Sequence, residues 1–258
     1  MRAILLCAGF ATRMYPLTRD FPKPLLPVAG RPVLDYLLDQ LLNLPGLLEI
    51  ALVTNARFYG HFEAWLGERE PRLRQAGMDM RLFNDGATAN DNRLGAVGDL
   101  AFVLERLSDV QPTLVAAGDN IFRFSLQSAW ERFRREKQNV ILALPEDDPA
   151  KLRKTAVLEL AENDRVLKLH EKPEQPTSHW MAPALYLLQP EALRLVPHYL
   201  QQSDAGDAPG YFIAYLVKKQ PVYAMRVFGS RLDIGSPESY RHANVLLRSQ
   251  PVIVESGE

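Results

Sequence analysis

The segment from residue 7 to residue 32 combines charged residues and helix-breaking residues in a way that suits a binding loop. It reads CAGFATRMYPLTRDFPKPLLPVAGRP and holds two glycines and five prolines, which weaken regular helices and strands. Its only anion is Asp20, and its cations are Arg13, Arg19, Lys23 and Arg31. A stiff, basic loop directly after the apolar run AILL predicts a site for an anion, with phosphate favoured.

The elements around this loop follow the alternation of strands and helices that is typical of a mostly parallel sheet. Apolar runs predict strands, with amphipathic helices between them, through about residue 144. The predicted strands cover residues 2–9, 49–54, 80–85, 112–120 and 139–144. Beyond them the pattern predicts a β-hairpin, two more strands and further helices, which we interpret as an appendage of the same domain. The predicted fold class is therefore α/β, with a single domain over 1–258.

Composition argues against several classes of function. The chain carries 30 Lys+Arg against 31 Asp+Glu, and this balance gives little support for nucleic-acid binding. Cys7 is the only cysteine, so intrachain disulfides are excluded and a reducing compartment is expected. No stretch is long and apolar enough to span a membrane. We therefore expect a cytoplasmic protein without a nucleic-acid or membrane partner.

The opening loop matches neither the Walker pattern G-x-x-x-x-G-K-[ST] nor the dinucleotide pattern G-x-G-x-x-G. LCAGFATRMYPLTRDFPKPLLPVAGRP instead resembles the signature of the sugar-1-phosphate nucleotidyltransferases, the family of glucose-1-phosphate thymidylyl- and uridylyltransferases. That signature runs A-G-x-x-T-R, then P-L-T, then K-P-L-[LMV]-P. Ala11 stands where the family usually has glycine, and we expect a negative φ there because alanine disfavours the left-handed region. The resemblance implies that the nucleotide is bound by Ala8, Gly9, Thr12, Arg13 and Lys23, the last two acting in catalysis.

Two carboxylates later in the chain suit a Mg²⁺ site. Asp119 ends a predicted buried strand in LVAAGDN, where open α/β sheets bind ligands, and Mg²⁺ prefers oxygen ligands. The resemblance implies that Asp119, which also serves the nucleotide, and Asp233 in RLDIGSPESY are the metal ligands. The family usually has tryptophan where this chain has Arg231, and we expect this difference to alter packing over the site and to matter little for the metal. Only the fold can bring residues 119 and 233 together.

The tetrapeptide HEKP, residues 170–173, closes the predicted hairpin. On residue types alone, a Glu-Lys pair on a strand is typical of a solvated ion pair. The motif resembles the family's E-K-P, which implies that Lys172 binds the sugar phosphate and Glu171 the sugar hydroxyls.

Base recognition is predicted at the end of the third strand. In the family, an amide side chain at that position and a following glycine segment read the base. The corresponding residues here are Asn84 and Gly95, with Asn90 as the alternative amide. Uracil and thymine suit such a pair of groups, whereas a purine would leave buried polar groups unpaired, at a cost of about 1–3 kcal/mol. We therefore expect UTP or dTTP as the substrate.

The resemblance implies a Rossmann-like domain with a mixed, mostly parallel central sheet, an appended hairpin and helix region, and no C-terminal β-helix domain. Residues 1–145 would bind the nucleotide and residues 146–245 the sugar phosphate. The implied reaction transfers a nucleotidyl group from a nucleoside triphosphate to a sugar 1-phosphate, with Mg²⁺ as cofactor, and releases pyrophosphate. A homo-oligomer is compatible with the sequence. Two alternatives stay open: a cytidylyltransferase acting on phosphocholine or an alditol phosphate, and a non-catalytic nucleotide-sensing subunit.

Overall fold

The structure is a computed structural model that describes residues 1–202 and 206–249. The chain divides into two compact units. Among the described residues, the first unit contains 1–94, 117–127 and 230–249, and the second contains 95–116, 128–202 and 206–229. Each unit is assembled from segments that are distant in sequence, so residues far apart along the chain meet inside one unit.

Helices and strands alternate along most of the chain. In the first half the elements are β1 (Arg2–Leu6), β2 (Pro27–Val28), β3 (Arg31–Pro32), α1 (Val33–Leu41), β4 (Glu49–Thr54), α2 (Tyr59–Gln75), β5 (Asp79–Asn84), α3 (Ala96–Arg106), β6 (Thr113–Ala117), β7 (Asn120–Phe122) and α4 (Gln127–Glu136). In the second half they are β8 (Asn139–Pro145), α5 (Pro149–Leu152), β9 (Ala156–Leu160), β10 (Val166–Glu171), β11 (Trp180–Ala182), β12 (Leu185–Leu188), α6 (Pro190–Leu193), α7 (Val196–Leu200), α8 (Pro209–Lys219), β13 (Val222–Arg226), β14 (Arg231–Asp233) and α9 (Pro237–Ser249).

Three parallel strands organise the first unit. β1 pairs with β4, and β4 pairs with β5 in register as far as Thr54 opposite Asn84. β1 and β4 are rich in Ala, Ile and Leu, and most of their residues are buried, as expected for strands covered on both faces. Because the strands are parallel, the loop after β1 and the loop after β5 leave the same edge of the sheet.

A hydrophobic cluster holds the loop after β1 against distant segments of the first unit. Its buried members are Met14, Leu26, Val28, Val33, Tyr36, Ile121, Ile234, Ala243 and Leu247. Helix α9 adds two hydrogen bonds. The Tyr240 hydroxyl donates to the Pro27 carbonyl at 2.7 Å, and the Ala29 N–H donates to Asn244 Oδ1 at 3.0 Å. The course of the loop therefore depends on residues more than 200 positions later, since these pairs are 213 and 215 positions apart.

The second unit contains a mixed sheet. Its strands follow the order β10–β9–β11–β8–β12–β6 with antiparallel pairing, and β13 pairs with β8 in parallel. β9 and β10 form the predicted hairpin, which ends at Glu171. Helix α8 packs against β10 and so approaches the end of this hairpin.

The predicted Rossmann-like α/β class with a mixed sheet is confirmed. The sequence did not predict β7 and β14, because three residues are too few to show a strand periodicity. The prediction that no β-helix domain follows includes residues 250–258. These residues lie outside the described part of the chain, so it stays a prediction. In the described part of the chain, no helix has the length and hydrophobicity needed to cross a membrane.

Candidate functional site

The basic loop turns sharply at Ala11. This residue has φ 48° and ψ 43°, in the left-handed region that costs an L-residue about 1–2 kcal/mol. The expectation of a negative φ at Ala11 is therefore wrong. Two donors hold its carbonyl, the Met14 N–H at 2.9 Å and the Thr18 hydroxyl at 2.8 Å. These hydrogen bonds hold the backbone in a turn that glycine would adopt at a lower conformational cost than alanine.

One side of the loop is buried and the other is exposed to solvent. Met14 and Thr18 are buried, whereas Gly9, Thr12 and Arg13 are exposed. A side chain at position 9 would meet no atom within 4 Å, so the backbone there is open to a ligand. This exposure suits the predicted contact with phosphate.

Ala8, in the same loop, is held in place by Asn55, a residue that the sequence analysis did not identify. Ala8 is buried, and its carbonyl accepts a hydrogen bond from Asn55 Nδ2 at 2.8 Å. Asn55 is fully buried directly after β4, and its Oδ1 accepts from the Phe58 N–H at 3.0 Å. A polar residue directly after a predicted buried strand was the available signal.

Lys23 and Asp119 form an ion pair, with Lys23 Nζ donating to Asp119 Oδ2. The residue before Asp119 explains how the two segments come so close. A methyl group on Gly118 would overlap Cys7 Sγ and would lie 3.3 Å from Leu34 Cδ1. Glycine at position 118 therefore lets the backbone that carries Asp119 pack directly against the start of the loop.

The fold brings Asp119 and Asp233 together, although they are 114 positions apart (233 − 119). β14 pairs with β7 in antiparallel register, which places Asp233 opposite Asn120, the neighbour of Asp119. The Ile234 N–H also donates to the Asp119 carbonyl at 3.2 Å. The juxtaposition that the resemblance implied is thus present in the first unit.

Arg231 joins this group, and sequence reasoning gave it only a packing role. Its Nη1 donates to Asn120 Oδ1 at 3.1 Å, and its Nη2 lies 4.0 Å from Asp233 Oδ2. Asn120 in turn donates from Nδ2 to Asp119 Oδ1 at 2.7 Å. One guanidinium therefore contacts one carboxylate directly and the other through an amide.

The charges of the group shift the pKa values of its two carboxyls in opposite directions. Desolvation favours the neutral form of Asp119, but Lys23 and then Arg231 outweigh it and hold the pKa of Asp119 below its ordinary value. Desolvation and then the negative charge of Asp119 raise the pKa of Asp233, against the opposing effect of Arg231. The side chain of Asp233 is half exposed and that of Asp119 is 24% exposed, so both can be reached from solvent.

The donor set suits a hard divalent cation. Two carboxylates supply oxygen ligands, and Mg²⁺ completes its coordination with water and substrate phosphates rather than with a full protein cage. In residues 1–202 and 206–249 no group of three or more His, Cys, Asp or Glu side chains could hold a metal. Asp119 and Asp233 thus fit Mg²⁺ shared with a polyphosphate.

The second unit carries the predicted sugar-phosphate residues at the end of β10. Lys172 has φ 50°, and its N–H donates to the Thr155 carbonyl at 3.0 Å. Its side chain is 53% exposed, whereas that of Glu171 is only 8% exposed, with 3.8 Å between Lys172 Nζ and Glu171 Oε1. Desolvation raises the pKa of Glu171 against the opposing charge of Lys172. The pair therefore combines an exposed cation with a buried, destabilised carboxylate.

Asn84 lies at the end of β5, where base recognition was predicted. Its side chain is exposed, and its Oδ1 accepts a hydrogen bond from the Gly86 N–H at 2.9 Å. Asn90 also lies in the loop after β5 and is exposed, and its carbonyl accepts from Arg93 Nη1 at 2.6 Å. Asn84 thus supports its own turn, and its amide NH₂ is the group it can offer to a base.

Gly95, the other predicted base contact, begins helix α3 with φ 80°. A methyl group on it would overlap Asp207 Oδ1, and the Ala96 N–H donates to that oxygen at 2.9 Å. Asp207 thus caps α3 from a position 111 residues away, a role that the sequence did not reveal. One backbone amide near Gly95 is already engaged.

A cleft of about 390 Å³ lies elsewhere in the first unit, lined by none of the predicted site residues. Gln40, at its wall, donates to the Phe122 carbonyl and accepts from the Leu126 N–H. Asp39 is paired with Arg31 and Arg72. Because these polar groups already have partners, we assign no function to the cleft.

In the first unit, which is built on parallel strands, Lys23 and the exposed, basic loop lie beside two carboxylates. This arrangement suits a polyphosphate with a divalent cation. Fold and site together define a nucleotide-binding class of α/β protein. Within that class, the chain belongs to the nucleotidyl transferase family, whose model matches residues 2–250.

Individual relatives agree with this assignment. The chain is 26% identical over 252 residues to the UTP–glucose-1-phosphate uridylyltransferase of Haloferax volcanii, covering 97% of this chain and 98% of that protein. It is 24% identical to the mannose-1-phosphate guanylyltransferase catalytic subunit beta of Danio rerio, covering 93% of this chain and 62% of that protein. A structure described as a glucose-1-phosphate thymidylyltransferase from Bacillus anthracis, in complex with sucrose, shares the fold with a TM-score of 0.82 at 22% identity, covering 100% of this chain and 98% of that one. The predicted resemblance to sugar-1-phosphate nucleotidyltransferases is confirmed.

Proposed function

We propose that this protein transfers a nucleotidyl group from UTP or dTTP to a sugar 1-phosphate, forming a nucleoside diphosphate sugar and pyrophosphate. The observation that carries the proposal is the grouping of Lys23, Arg231, Asp119 and Asp233 in the first unit. Two cations beside two carboxylates suit a triphosphate and its metal ion. Family membership and the names of the relatives support the same reaction class.

The chemistry needs charge neutralisation more than proton transfer. An oxygen of the sugar phosphate attacks the α-phosphorus, the bond from that phosphorus to the bridging oxygen breaks, and pyrophosphate leaves with the electron pair. Because the attacking oxygen is already anionic, no general base is required, and positioning and electrostatics dominate. Arg13 would stabilise the departing pyrophosphate and Lys23 the α-phosphate or the leaving group.

Asp119 and Asp233 would hold Mg²⁺, which supplies Lewis-acid stabilisation of charge on the phosphates when bound. Lys23 pairs with Asp119. Nucleotide binding would offer Lys23 phosphate oxygens in exchange for this carboxylate, so we expect its contact with Asp119 to break when the nucleotide binds.

The acceptor would be bound by Glu171 and Lys172. The exposed ammonium of Lys172 suits a phosphate, and the buried carboxylate of Glu171 suits hydroxyl donors. A buried charge gains most from such partners, because burial has already removed its water. A sugar phosphate supplies both kinds of group.

The preference for UTP or dTTP rests on Asn84 at the end of β5. Its NH₂ group can donate to a carbonyl oxygen of uracil or thymine, while its Oδ1 holds the Gly86 N–H. Two relatives with similar sequence identity to this chain are named for different transferred groups, uridylyl in one and guanylyl in the other. Their names therefore do not select the base.

A substrate matrix tests the proposal. Each common nucleoside triphosphate is combined with sugar 1-phosphates, phosphocholine and an alditol phosphate, and pyrophosphate release is measured with Mg²⁺. We expect turnover with UTP or dTTP and a sugar 1-phosphate. A preference for CTP with phosphocholine or the alditol phosphate would replace this proposal, and binding of nucleotide without turnover would indicate a nucleotide-sensing subunit.

A variant of the metal pair completes the test. Asp119→Asn should retain the fold and lose most of the turnover, because one anionic ligand and the partner of Lys23 are removed together. Near-normal turnover of this variant at limiting Mg²⁺ would contradict the assignment of Asp119 as a ligand.

A further inference from the structure

The carboxylate of Glu171 lies directly against the first turn of helix α8 in the second unit. Gly210 is the second residue of that helix. A methyl group on Gly210 would overlap Glu171 Oε2 and lie 2.9 Å from the carboxyl carbon. The position that Glu171 occupies is therefore available only because residue 210 has no side chain.

The backbone gives no other reason for glycine at this position. Gly210 lies inside a regular helix and does not have the left-handed φ seen at Gly95. Glycine is less favourable than alanine in a helix, and the close contact with Glu171 gives a steric reason for its presence here. The next atom in distance from the missing methyl group is Ala156 Cβ at 3.6 Å, an ordinary contact, so Glu171 is the neighbour that a side chain would displace.

Within the part of the chain that the structure describes, Glu171 lacks the hydrogen-bond partners that a buried carboxylate normally has. Its side chain is 8% exposed, and among the described residues its only ionic partner is Lys172, with Nζ at 3.8 Å from Oε1. Buried charges are normally paired and hydrogen-bonded. The carboxylate is thus held ready for hydroxyl donors from outside the chain.

We propose that Gly210 is a positioning residue that sets the location of the Glu171 carboxylate and thereby selects acceptors that carry hydroxyl groups. This inference rests on the proposed function, in which Glu171 binds the sugar. The atom that would clash is the end of a flexible side chain, so an alanine at position 210 can be accommodated by rotation of the carboxylate. The substitution should therefore change binding of the acceptor with little change in stability.

The test is Gly210→Ala, with Gly60→Ala as the matched control. Gly60 is the second residue of α2, and a methyl group there would meet no atom within 4 Å. We expect the KM for the sugar 1-phosphate to rise roughly tenfold or more in Gly210→Ala, the scale of a lost hydrogen bond to a charged group. The KM for the nucleotide and the Tm should change little, and Gly60→Ala should match the wild type in both KM values.

A double-mutant cycle separates positioning from a direct structural effect. If Gly210 acts through Glu171, the Gly210→Ala substitution should have no further effect on the KM for sugar phosphate in the Glu171→Ala background. Additive effects, or an unchanged KM in Gly210→Ala alone, would overturn the inference while leaving the proposed function intact. Failure of the wild type to use any sugar 1-phosphate would overturn the proposed function, and the inference with it.

Discussion

Arg231 gives the carboxylate pair a fixed positive neighbour. Its guanidinium lies 4.0 Å from Asp233 Oδ2 and contacts Asp119 through Asn120. A cation at this position opposes the approach of a second cation, and because Asp233 is half exposed, solvent screening reduces this repulsion to about 1 kcal/mol, a several-fold effect on affinity. Arg231→Leu should therefore bind Mn²⁺ several-fold more tightly than the wild type in the absence of nucleotide, as measured by electron paramagnetic resonance.

Arg241→Leu is the control for this measurement. Arg241 is a 70% exposed residue on α9 in the same unit, and it pairs only loosely with Glu238, at 3.4 Å. Its removal changes the net charge equally but should leave Mn²⁺ affinity almost unchanged because solvent screens it. Weaker binding by Arg231→Leu would show instead that Arg231 mainly orients Asn120 and Asp119.

Glu171 should make stability depend on pH, because desolvation raises the pKa of its carboxyl in the folded protein. Below the ordinary glutamate pKa, the carboxyl is protonated in folded and unfolded chains and carries no penalty. As the pH rises through the ordinary value towards the raised folded value, the unfolded chain releases its proton first, and the free energy of unfolding falls. The Tm advantage of Glu171→Gln over the wild type should therefore grow as the pH rises above the ordinary glutamate pKa of about 4.3.

Glu159, on the same hairpin, provides a control of opposite sign. Hydrogen bonds from Thr177 and then His170 lower the pKa of Glu159. Its contribution to stability is present above the ordinary pKa and is lost as the pH falls, so Glu159→Gln should be at a disadvantage that increases with pH. A Tm difference between Glu171→Gln and the wild type that stays constant with pH would contradict the burial of a charged Glu171.

At the scale of elements, the connection between β6 and β7 depends on a close approach at Gly118. A methyl group there would overlap Cys7 Sγ and press on Leu34. Overpacking of this kind costs about 1–3 kcal/mol. Gly118→Ala should lower the free energy of unfolding by this amount and weaken Mn²⁺ binding, because Asp119 is the next residue and would move with the backbone.

Adding Cys7→Ala to the Gly118→Ala variant should restore part of the lost stability and Mn²⁺ affinity, since it removes the overlapping sulfur. Cys7→Ala alone serves as the reference for the cavity that the truncation leaves. Chemical denaturation and Mn²⁺ titration of the four proteins would measure both effects. A Gly118→Ala variant as stable as the wild type would contradict the packing argument.

The sequence was sufficient to predict the longer elements but not the short ones that complete the site. Buried strands such as β4 have clear apolar runs, and their prediction over residues 49–54 is confirmed. β7 and β14 have three residues each, so their pairing depends on tertiary contacts rather than on local pattern. Asp119 and Asp233 were brought together only by resemblance to a family, and Arg231 was interpreted as packing for the same reason.

Across the molecule, the chain leaves the first unit and comes back to it at residue 230, where its last described segment completes that unit. Ala243 and Leu247 of α9 are buried in the cluster that also contains Met14 of the loop after β1. No local feature of the loop could have revealed this support. The site therefore depends on a helix whose residues make no predicted contact with substrate.

Leu247→Ala tests this dependence directly. Truncating a buried leucine costs about 2–5 kcal/mol, because transfer energy is lost and a cavity is left. Val245 lies on the same helix but is 70% exposed, so Val245→Ala should stay within about 0.5 kcal/mol of the wild type in the free energy of unfolding. Urea denaturation at a temperature where both variants are folded would measure the difference. Equal stability of the two variants would show that α9 does not anchor the loop, whereas a selective loss in Leu247→Ala, with normal turnover of the folded fraction, would show that the helix supports the site through packing alone.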